Sequence, residues 1–349
     1  MTDDPKTGND IPAGQEWEVR RFQPEDAEGV VRLFQSVYGS GYPVRTYMEP
    51  QLLIAENAAN RTISSVAVTQ RGDIVGHNAL FCSAPHPGTY ESGAGVVHAA
   101  YRGGKGIFTR LAAHGLDLAA NLPGIDVVFG EPVCNHPFTQ KLTAGMQFIT
   151  RALEVDLMPA AAYEKEGSAS GRVAAFLDFR KPRKKHHAVF LPKMYQKELE
   201  FLYEDLGDTR DFRFAEDGIF AEGPTDIRPQ IFGFAGVARV AVHAAGSDFP
   251  ARLAVLEKEL REKGVVVTQI WLNLAGPWTG GAVPVLLRNG YFLGGVLPRW
   301  FDTDGMLLQK IDKRPDWEGI LAITDRYQKT LGIVRDDWER SQKEKRNGN

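Results

Sequence analysis

The sequence has little cysteine, little net charge and no long apolar run, and each of these absences excludes a class of protein. Only Cys82 and Cys134 occur among 349 residues, too few for a disulfide framework, and no C-x-x-C or Cys/His cluster has zinc spacing. The net charge of −3 carries no electrostatic signature of nucleic-acid or membrane binding. No stretch reaches the ~18 consecutive apolar residues of a membrane span. We therefore expect a cytoplasmic protein that binds no nucleic acid, membrane or metal; its oligomeric state is left open.

What the sequence does contain is enough apolar residues for two hydrophobic cores. At roughly 150 residues per domain, the length corresponds to about two domains, and 43% of the residues are hydrophobic. The predicted division is a disordered N-terminus at 1–15, a first domain at 16–160 and a second at 188–313. A linker region at 161–187 separates the two domains, and a helical tail follows at 314–349.

Residues 16–158 predict a mixed sheet flanked by helices. Alternating and helical hydrophobic patterns follow one another in the order β-α-α-β-β-β-α-β-α-β. Within this order a strand at 90–101 leads to a helix at 107–121 and then to a strand at 125–130. Because strands and helices do not alternate regularly, the predicted fold class is α+β.

The second half of the sequence repeats the order of the first. The segments GIDVVFGEPVCNHPFTQKLTAGMQF (124–148) and GVVVTQIWLNLAGPWTGGAVPVLLRNGYF (264–292) share one pattern. Each runs from a strand through a polar turn and a short helix to a glycine and a phenylalanine. This parallel predicts a diverged duplication in tandem.

A glycine-rich turn at 102–106 joins the strand at 90–101 to the helix that begins at Ile107. Glycine lets the backbone N–H groups turn inward, and the helix N-terminus contributes about half a positive charge. Arg102 and Lys105 add full charges. The turn therefore predicts a site for a pyrophosphate or a 3′-phosphate, the alternative being a tight turn that glycine stabilises without any ligand.

Three kinds of phosphate-binding loop compete for these residues. A nucleoside-triphosphate loop is excluded, because Ala99 stands at its first glycine position and Gly106 follows Lys105 in place of Ser or Thr. A dinucleotide fingerprint, Gly104-x-Gly106-x-x-Thr109, fits in part, but a hairpin precedes it instead of the start of a doubly wound sheet. A third kind of loop also accounts for the order of the elements.

Residues 16–158 resemble the GNAT superfamily of acyl-CoA N-acyltransferases over about 140 residues. The segment YRGGKGIFTRL (101–111) matches the pyrophosphate loop of that family, and EPVCNHPFTQKLTAGMQF (131–148) is similar to its Asn…Gly-Phe segment. The resemblance implies a splayed, mixed sheet and acetyl-CoA or another acyl-CoA as co-substrate. It implies transfer of the acyl group to an amine of a small molecule or a peptide by direct attack, without a metal.

The resemblance also implies where the donor binds. Its pantetheine arm would lie along the strand at 90–101, and its phosphates would lie on backbone N–H groups of the turn. The alignment of the loop has two alternatives, with Lys105 at the first glycine position or Phe108 at the last small position. Asn135 is either a donor contact or the cap of the helix that follows. The residues assigned to the donor are Val96, Val97, His98, Arg102, Gly103, Gly104, Lys105, Gly106, Ile107, Phe108, Thr109 and Asn135.

Acyl transfer needs a neutral amine, and therefore a group that takes its proton. A lysine-like amine with a pKa near ~10.4 costs about 4.6 kcal/mol to deprotonate at pH 7. Glu91 is the leading candidate for the general base, and Glu131 and His98 are the others. Each has a structural alternative: Glu91 as an exposed acid at a strand start, Glu131 as an ion-pair partner, and His98 as a packed histidine.

Two further features of the sequence bear on the function. The general-acid tyrosine that is frequent in the family falls at Lys141, so the leaving thiolate has no assigned proton donor. This departure favours an alternative function, a non-catalytic acyl-CoA sensor or interaction scaffold; a nucleotide-dependent oxidoreductase is a third hypothesis. In the second half, AAGSDFP (244–250) stands where the loop would be, and its single glycine predicts that it binds no CoA.

Overall fold

The computed structural model describes residues 11–104, 106–159, 171–180, 183–206 and 209–347. The predicted disorder of the N-terminus falls mainly on residues 1–10, and both these residues and Lys105 lie outside the described residues. The chain divides into two compact units. The first unit runs through Val128 without Ala84–His86, and the second contains Ala84–His86 and the chain from Phe129 onwards.

The first unit is an antiparallel sheet with helices on both faces. Its strands pair in the order β1-β2-β3-β4. Side chains of β2 alternate between the faces, so Val66 and Val68 pack with the first helix while Ala67 packs with the third. The elements are β1 Trp17–Arg21, α1 Ala27–Tyr38, α2 Pro50–Ala58, β2 Thr62–Thr69, β3 Ile74–Cys82, β4 Thr89–Val97 and α3 Ile107–Asn121.

Within the described residues, the second unit is a mixed sheet of eight strands with a separate parallel pair, β8 and β9. The strand order is β5-β7-β6-β13-β14-β12-β11-β10, and the boundary between the units falls within β5. The strands are β5 Val127–Gly130, β6 Ile149–Met158, β7 Val173–Phe179, β8 His187–Pro192, β9 Arg210–Ala215, β10 Asp226–Phe232, β11 Val237–Ala244, β12 Val267–Asn273, β13 Phe292–Leu297 and β14 Gly305–Ile311. The helices are α4 Phe138–Gly145, α5 Gln196–Leu202, α6 Phe249–Glu262, α7 Thr279–Arg288 and α8 Asp325–Asn347, the last in the predicted helical tail.

The segment predicted as a linker region, 161–187, contains a central strand of this sheet. Strand β7 lies between β5 and β6 and is antiparallel to both. Every residue of its sequence VAAFLDF is buried. A strand that is covered on both faces has a continuous apolar run rather than an alternating one, so the linker prediction is wrong for Val173–Phe179. Residues 161–170 and 181–182 of that segment lie outside the described residues.

The duplication expected from the sequence is visible in the order of the strands. In β5-α4-β6-β7 the last strand inserts between the first two, giving the spatial order β5-β7-β6. In β12-α7-β13-β14 the last strand inserts in the same way, giving β12-β14-β13. The equivalent strands of the two copies, β6 and β13, pair antiparallel where Ala152 faces Gly295. The predicted α+β class, with a mixed sheet repeated in tandem, is confirmed.

No helix within the described residues is both long enough and apolar enough to cross a lipid bilayer.

Candidate functional site

The glycine-rich turn before α3 is an open corner. Gly103, Gly104 and Gly106 have φ angles of +82°, +93° and +67°, a left-handed region that favours glycine. A Cβ atom added at any of the three would meet no atom of the described residues within 4 Å. Gly106 is also the N-cap of α3, and no side chain of the described residues caps the helix there. The backbone at the positive end of α3 therefore faces open space.

The residues that follow the corner pack against β3 and β4. Ile107 is 2% exposed, and a Cβ at Gly76 would lie 2.8 Å from its Cγ2 atom. A Cβ at Gly95 would lie 2.0 Å from Cε2 of Phe108, so that ring rests directly on the β4 backbone. The Nε of Arg102, an exposed residue, donates a hydrogen bond of 2.9 Å to the carbonyl oxygen of Val97. Thr109 is exposed beside these anchors.

The corresponding corner of the second copy, before α6, is closed. A Cβ at Gly246 would lie 2.2 Å from the carbonyl oxygen of Gly223. The amide of Gly246 donates to Oγ1 of Thr225 at 3.0 Å. Oδ1 of Asp248 in turn accepts from the amide and the hydroxyl of Thr225, at 2.9 and 2.6 Å. The donors of this corner are thus used internally, and its backbone is crowded where the backbone of the corner before α3 is open.

Strand β4 bulges where it passes the open corner. His77 pairs with Val96 and Ala79 pairs with Gly93, so two residues of β4 stand opposite one residue of β3. One of the two, Ala94, has a φ of +50°. The bulge takes Ala94 and Gly95 out of register with β3, close to the ring of Phe108.

A buried histidine of β3 fixes this bulge. The side chain of His77 is fully buried, with Nδ1 2.9 Å from the carbonyl oxygen of Ala94 and Nε2 3.0 Å from Oγ of Ser64. Because a carbonyl oxygen only accepts, Nδ1 carries the proton and donates it to Ala94, while Nε2 accepts from Ser64. Burial lowers the pKa of His77 to about 4. The imidazole is therefore neutral at physiological pH.

Glu91 lies on β4 three residues before the bulge. It is half-buried and pairs with Phe81. A Cβ at Gly93 would lie 3.1 Å from Oε1 of Glu91, so the carboxylate leans along the strand towards the bulge over a residue without a side chain. Its charge also helps to raise the pKa of the Tyr42 and Tyr47 phenols, although burial is the larger cause for both.

The tyrosines near Glu91 belong to an aromatic cluster formed by α1 and the segment that leads to α2. The rings of Phe34 and Tyr47 stack at 4.7 Å, and those of Tyr38 and Tyr42 stack at 4.8 Å. His77 meets this cluster edge-on, 5.3 Å from Tyr47. One side of the cluster thus supports the histidine that holds the bulge.

The other site residues predicted in the first unit have structural contacts. His98 directly follows β4 and is 5% exposed, and its Nδ1 accepts from the amide of Ala100 at 3.4 Å. Val96 is 3% exposed, and Val97 is half-buried. The side chains of His98, Val96 and Ile107 are buried in the core. These three residues could therefore contact a ligand at the corner only through their backbone groups.

Glu131 and Asn135 belong to the second unit. Oε1 of Glu131 accepts a hydrogen bond of 2.9 Å from Nη2 of Arg239, which is the ion-pair role expected as its structural alternative. Asn135 does not cap the following helix, because α4 begins at Phe138 and its N-cap is Pro137. The cap prediction is wrong because the polar turn continues two residues beyond Asn135. Lys141 is exposed on α4.

Sequence reasoning missed the two features that shape β4, namely the bulge and His77. The signal for the bulge was present in the segment Gly93-Ala94-Gly95, since glycine inside a strand often marks a bulge or a close backbone approach. His77 gave no local signal, because its partners Ser64 and Ala94 are 13 and 17 residues away along the chain.

Comparison with known proteins gives structural neighbours only. No family model and no curated protein matches the sequence. A GNAT-family acetyltransferase from Streptococcus pneumoniae matches with 15% identity and a TM-score of 0.40, over 47% of this chain and 99% of its own. Ribosomal-protein-S5-alanine acetyltransferase from Vibrio fischeri has 14% identity and a TM-score of 0.38, over 49% and 96%. The yncA structure from Salmonella typhimurium, solved with its cofactor acetyl-CoA, has 16% identity and a TM-score of 0.38, over 49% and 96%.

Proposed function

We propose that this chain is an acyl-CoA-dependent N-acyltransferase that transfers an acetyl group from the thioester to an amine. The observation that carries the proposal is the open corner before α3. Three glycines in the left-handed region turn the backbone there, no side chain of the described residues caps the helix, and a bulged strand runs alongside. The closed corner before α6 shows that the openness is not required by the fold itself.

The residues of the corner fit a diphosphate. Amides at a helix N-terminus bind anions because they are unpaired within the helix and lie at its positive end. Gly103, Gly104 and Gly106 leave room for an anion to approach the backbone, and exposed Arg102 adds a full charge. These residues, with the first amides of α3, would hold the donor phosphates. Lys105 lies outside the described residues, so its assignment to the donor phosphates rests on the sequence alone.

Glu91 is the residue we assign to proton removal. In the transfer, the amine nitrogen bonds to the thioester carbonyl carbon, the carbon–sulfur bond breaks, and the sulfur leaves as a thiolate that takes up a proton. Glu91 lies on the bulged strand, half-buried, with its carboxylate leaning towards the bulge. His98 and Glu131 are weaker candidates, because Nδ1 of His98 accepts from the Ala100 amide and Glu131 is paired with Arg239.

Ligand binding is tested by thermal unfolding of the full chain with acetyl-CoA, a longer acyl-CoA, NAD and ATP. Acetyl-CoA or the longer acyl-CoA should raise Tm, while NAD and ATP should leave it unchanged, since a ligand that binds only the folded state stabilises it. A response to NAD alone would overturn the proposal and favour the oxidoreductase hypothesis.

Catalysis is tested by release of free thiol from acetyl-CoA with a panel of amines. Glu91→Gln should lower kcat at least tenfold and leave the Kd for acetyl-CoA unchanged. Glu28→Gln, which changes an exposed glutamate of α1, is the control. An unchanged kcat in Glu91→Gln removes Glu91 as the base. Binding of acetyl-CoA without thiol release from any amine would instead favour an acyl-CoA sensor.

A further inference from the structure

The second unit contains a cavity of about 190 Å³ that the proposed transfer does not use. It lies among the end of β6, the start of β7 and the hairpin of β10 and β11. Its volume exceeds the ~150 Å³ of a cavity that admits benzene. Apolar side chains form most of the wall, among them Leu157, Val173, Ala175, Phe232, Phe234 and Val237.

Among the described residues, two polar ones also line the cavity, Glu131 and Arg239. Nη2 of Arg239 donates to Oε1 of Glu131 at 2.9 Å and to both oxygens of Glu154, at 3.1 and 3.2 Å. The side chain of Glu154 is 1% exposed, whereas that of Glu131 is 18% exposed. The guanidinium of Arg239 thus donates to two carboxyl groups, and the more exposed of the two, that of Glu131, lines the cavity.

Three further contacts position the guanidinium. Its Nε donates to Oε1 of Gln269 at 3.1 Å, and its carbon lies 5.5 Å from the ring centre of Trp271 and 5.8 Å from that of Phe232. Because Arg239 already donates to the carboxyl groups of Glu131 and Glu154, an anionic ligand would have to compete with both for the same guanidinium. The cluster therefore disfavours an anionic ligand.

Glu131 keeps one oxygen for a ligand. Its Oε1 accepts from Arg239, and within the described residues its Oε2 accepts no hydrogen bond. We propose that the cavity binds a small primary amine as its ammonium, with the ammonium at Glu131 and the hydrocarbon part against the apolar wall. The inference goes beyond the proposed function, because it concerns binding in the second unit and requires neither acyl-CoA nor turnover.

The walls of the cavity are tied together by Arg172. Nε of Arg172 donates to the carbonyl oxygen of Asp156 at 2.6 Å. Its Nη2 donates to those of Leu157 and Ala235, at 3.0 and 2.8 Å. The end of β6 and the turn between β10 and β11 are thus held by one side chain, so the cavity is preformed.

Binding of an ammonium should release a proton from this cluster. Burial raises the pKa of Glu154 to about 8, so it holds a proton at pH 7. The groups that face it are Arg239 from β11, Glu131 after β5 and the neutral Gln269 from β12. A further positive charge at Glu131 favours the ionised form of Glu154. The amine should accordingly bind more tightly as the pH rises from 6 to 8.

The ligand class is tested by calorimetric titration of the full chain with three probes of one size: benzylamine, benzyl alcohol and benzoate. We expect benzylamine to bind at least tenfold more tightly than benzyl alcohol, and benzoate to bind weakest. Titration at pH 7 in phosphate and in HEPES, two buffers without a primary amine and with different heats of ionisation, should show proton release with benzylamine, and Glu154→Gln should abolish that release. Equal affinities for the three probes would overturn the proposal.

The site is tested by substitution at the carboxylate. Glu131→Gln should weaken benzylamine binding at least tenfold, whereas Glu257→Gln, at the 2.8 Å ion pair with Lys310 elsewhere in the unit, should leave it unchanged. If Glu131→Gln does not fold, Ala175→Leu, which fills the cavity, replaces it and should abolish binding. Benzylamine binding that survives the substitution refutes the site. Because thiol release is not measured, failure of the proposed acyl transfer would not change these results.

Discussion

Nδ1 of His77 lies 2.9 Å from the carbonyl oxygen of Ala94, at the residue where β4 leaves its register with β3. A neutral side chain buried in one strand thereby holds the backbone of the next strand out of the sheet. The bulge includes Gly95, and the ring of Phe108 rests on Gly95. Phe108 lies in the first turn of α3, directly after the open corner, so the bulge and the corner are linked through this ring. The geometry proposed for the donor therefore depends on a residue that would not touch the donor.

Replacing His77 by leucine should lower the free energy of unfolding by about 2 kcal/mol, because the Ala94 carbonyl and the Ser64 hydroxyl lose a buried partner. Urea denaturation measures this loss, and the Kd for acetyl-CoA should rise with it. His114→Leu is the control. That histidine of α3 bonds Oγ of Ser65 at 2.7 Å but is only half-buried, so its loss should cost less and leave the Kd unchanged.

The contribution of His77 to the stability of the protein should fall as the pH is lowered from 6.5 to 4. The pKa of His77 is about 4 in the folded state, against an ordinary value of 6.5, so the unfolded chain takes up the proton first. Stability associated with this group is complete above pH 6.5 and is lost as the pH falls towards 4, by up to about 3 kcal/mol. The loss is measured as the difference in urea midpoint between the parent and His77→Leu across this range, because Glu154 titrates there with the opposite effect on stability. A difference that does not change with pH contradicts the assignment.

Gly104→Ala should weaken acetyl-CoA binding at least tenfold. A side chain at φ +93° strains the turn by about 1–2 kcal/mol and occupies the open corner. Gly72→Ala is a matched control, because Gly72 has a φ of +82° and equally open surroundings in the turn between β2 and β3. Both variants should lose similar stability, but only Gly104→Ala should alter the Kd. Equal Kd values in the two would show that the corner does not bind the donor.

The contact between Gly95 and Phe108 should appear as energetic coupling. A methyl group at Gly95 would lie 2.0 Å from the Phe108 ring, so Gly95→Ala should cost about 1–3 kcal/mol by overpacking. When Gly95→Ala is combined with Phe108→Ala, the ring is absent and the new methyl group no longer clashes with it. The double variant should be more stable than the sum of the single effects predicts, by at least about 1 kcal/mol in urea denaturation. Simple additivity would contradict the contact.

Glu154→Gln should stabilise the protein at alkaline pH. Burial raises the folded-state pKa of Glu154 to about 8, from an ordinary 4.5, so the folded chain binds the proton more tightly than the unfolded chain. Stability that depends on this proton is complete below pH 4.5 and is lost as the pH rises to 8. The variant should therefore unfold at higher urea concentration than the parent at pH 9, with a smaller difference at pH 5. A difference independent of pH would exclude this protonation.

The elements that the sequence predicts well are those with a strong local signal. Helix α3 was expected at 107–121 and occupies Ile107–Asn121, because a glycine-rich turn marks its start and its apolar residues have helical spacing. The strand expected at 90–101 ends instead at Val97, since His98 caps a short turn over Ala99–Tyr101. Strand β7 was missed, because a strand buried on both faces lacks alternation.

The candidate site was predictable only where its residues are consecutive. The turn at 102–106 could be found from its glycines, whereas the partner of Glu131 could not, because Arg239 is 108 residues away. Glu154 is 85 residues from the same arginine. Such a cluster exists only after the strands of the sheet have come together, and no pattern within any one segment encodes it.

The antiparallel pairing of β6 with β13 covers one edge strand of each copy. Ala152 faces Gly295, and a Cβ at Gly295 would lie 2.3 Å from the carbonyl oxygen of Arg151. In a chain cut between the copies, both strands would become sheet edges with unpaired N–H and C=O groups, which are templates for aggregation. Joining the two copies in one chain thus pairs two strand edges that would otherwise be open to association with other chains.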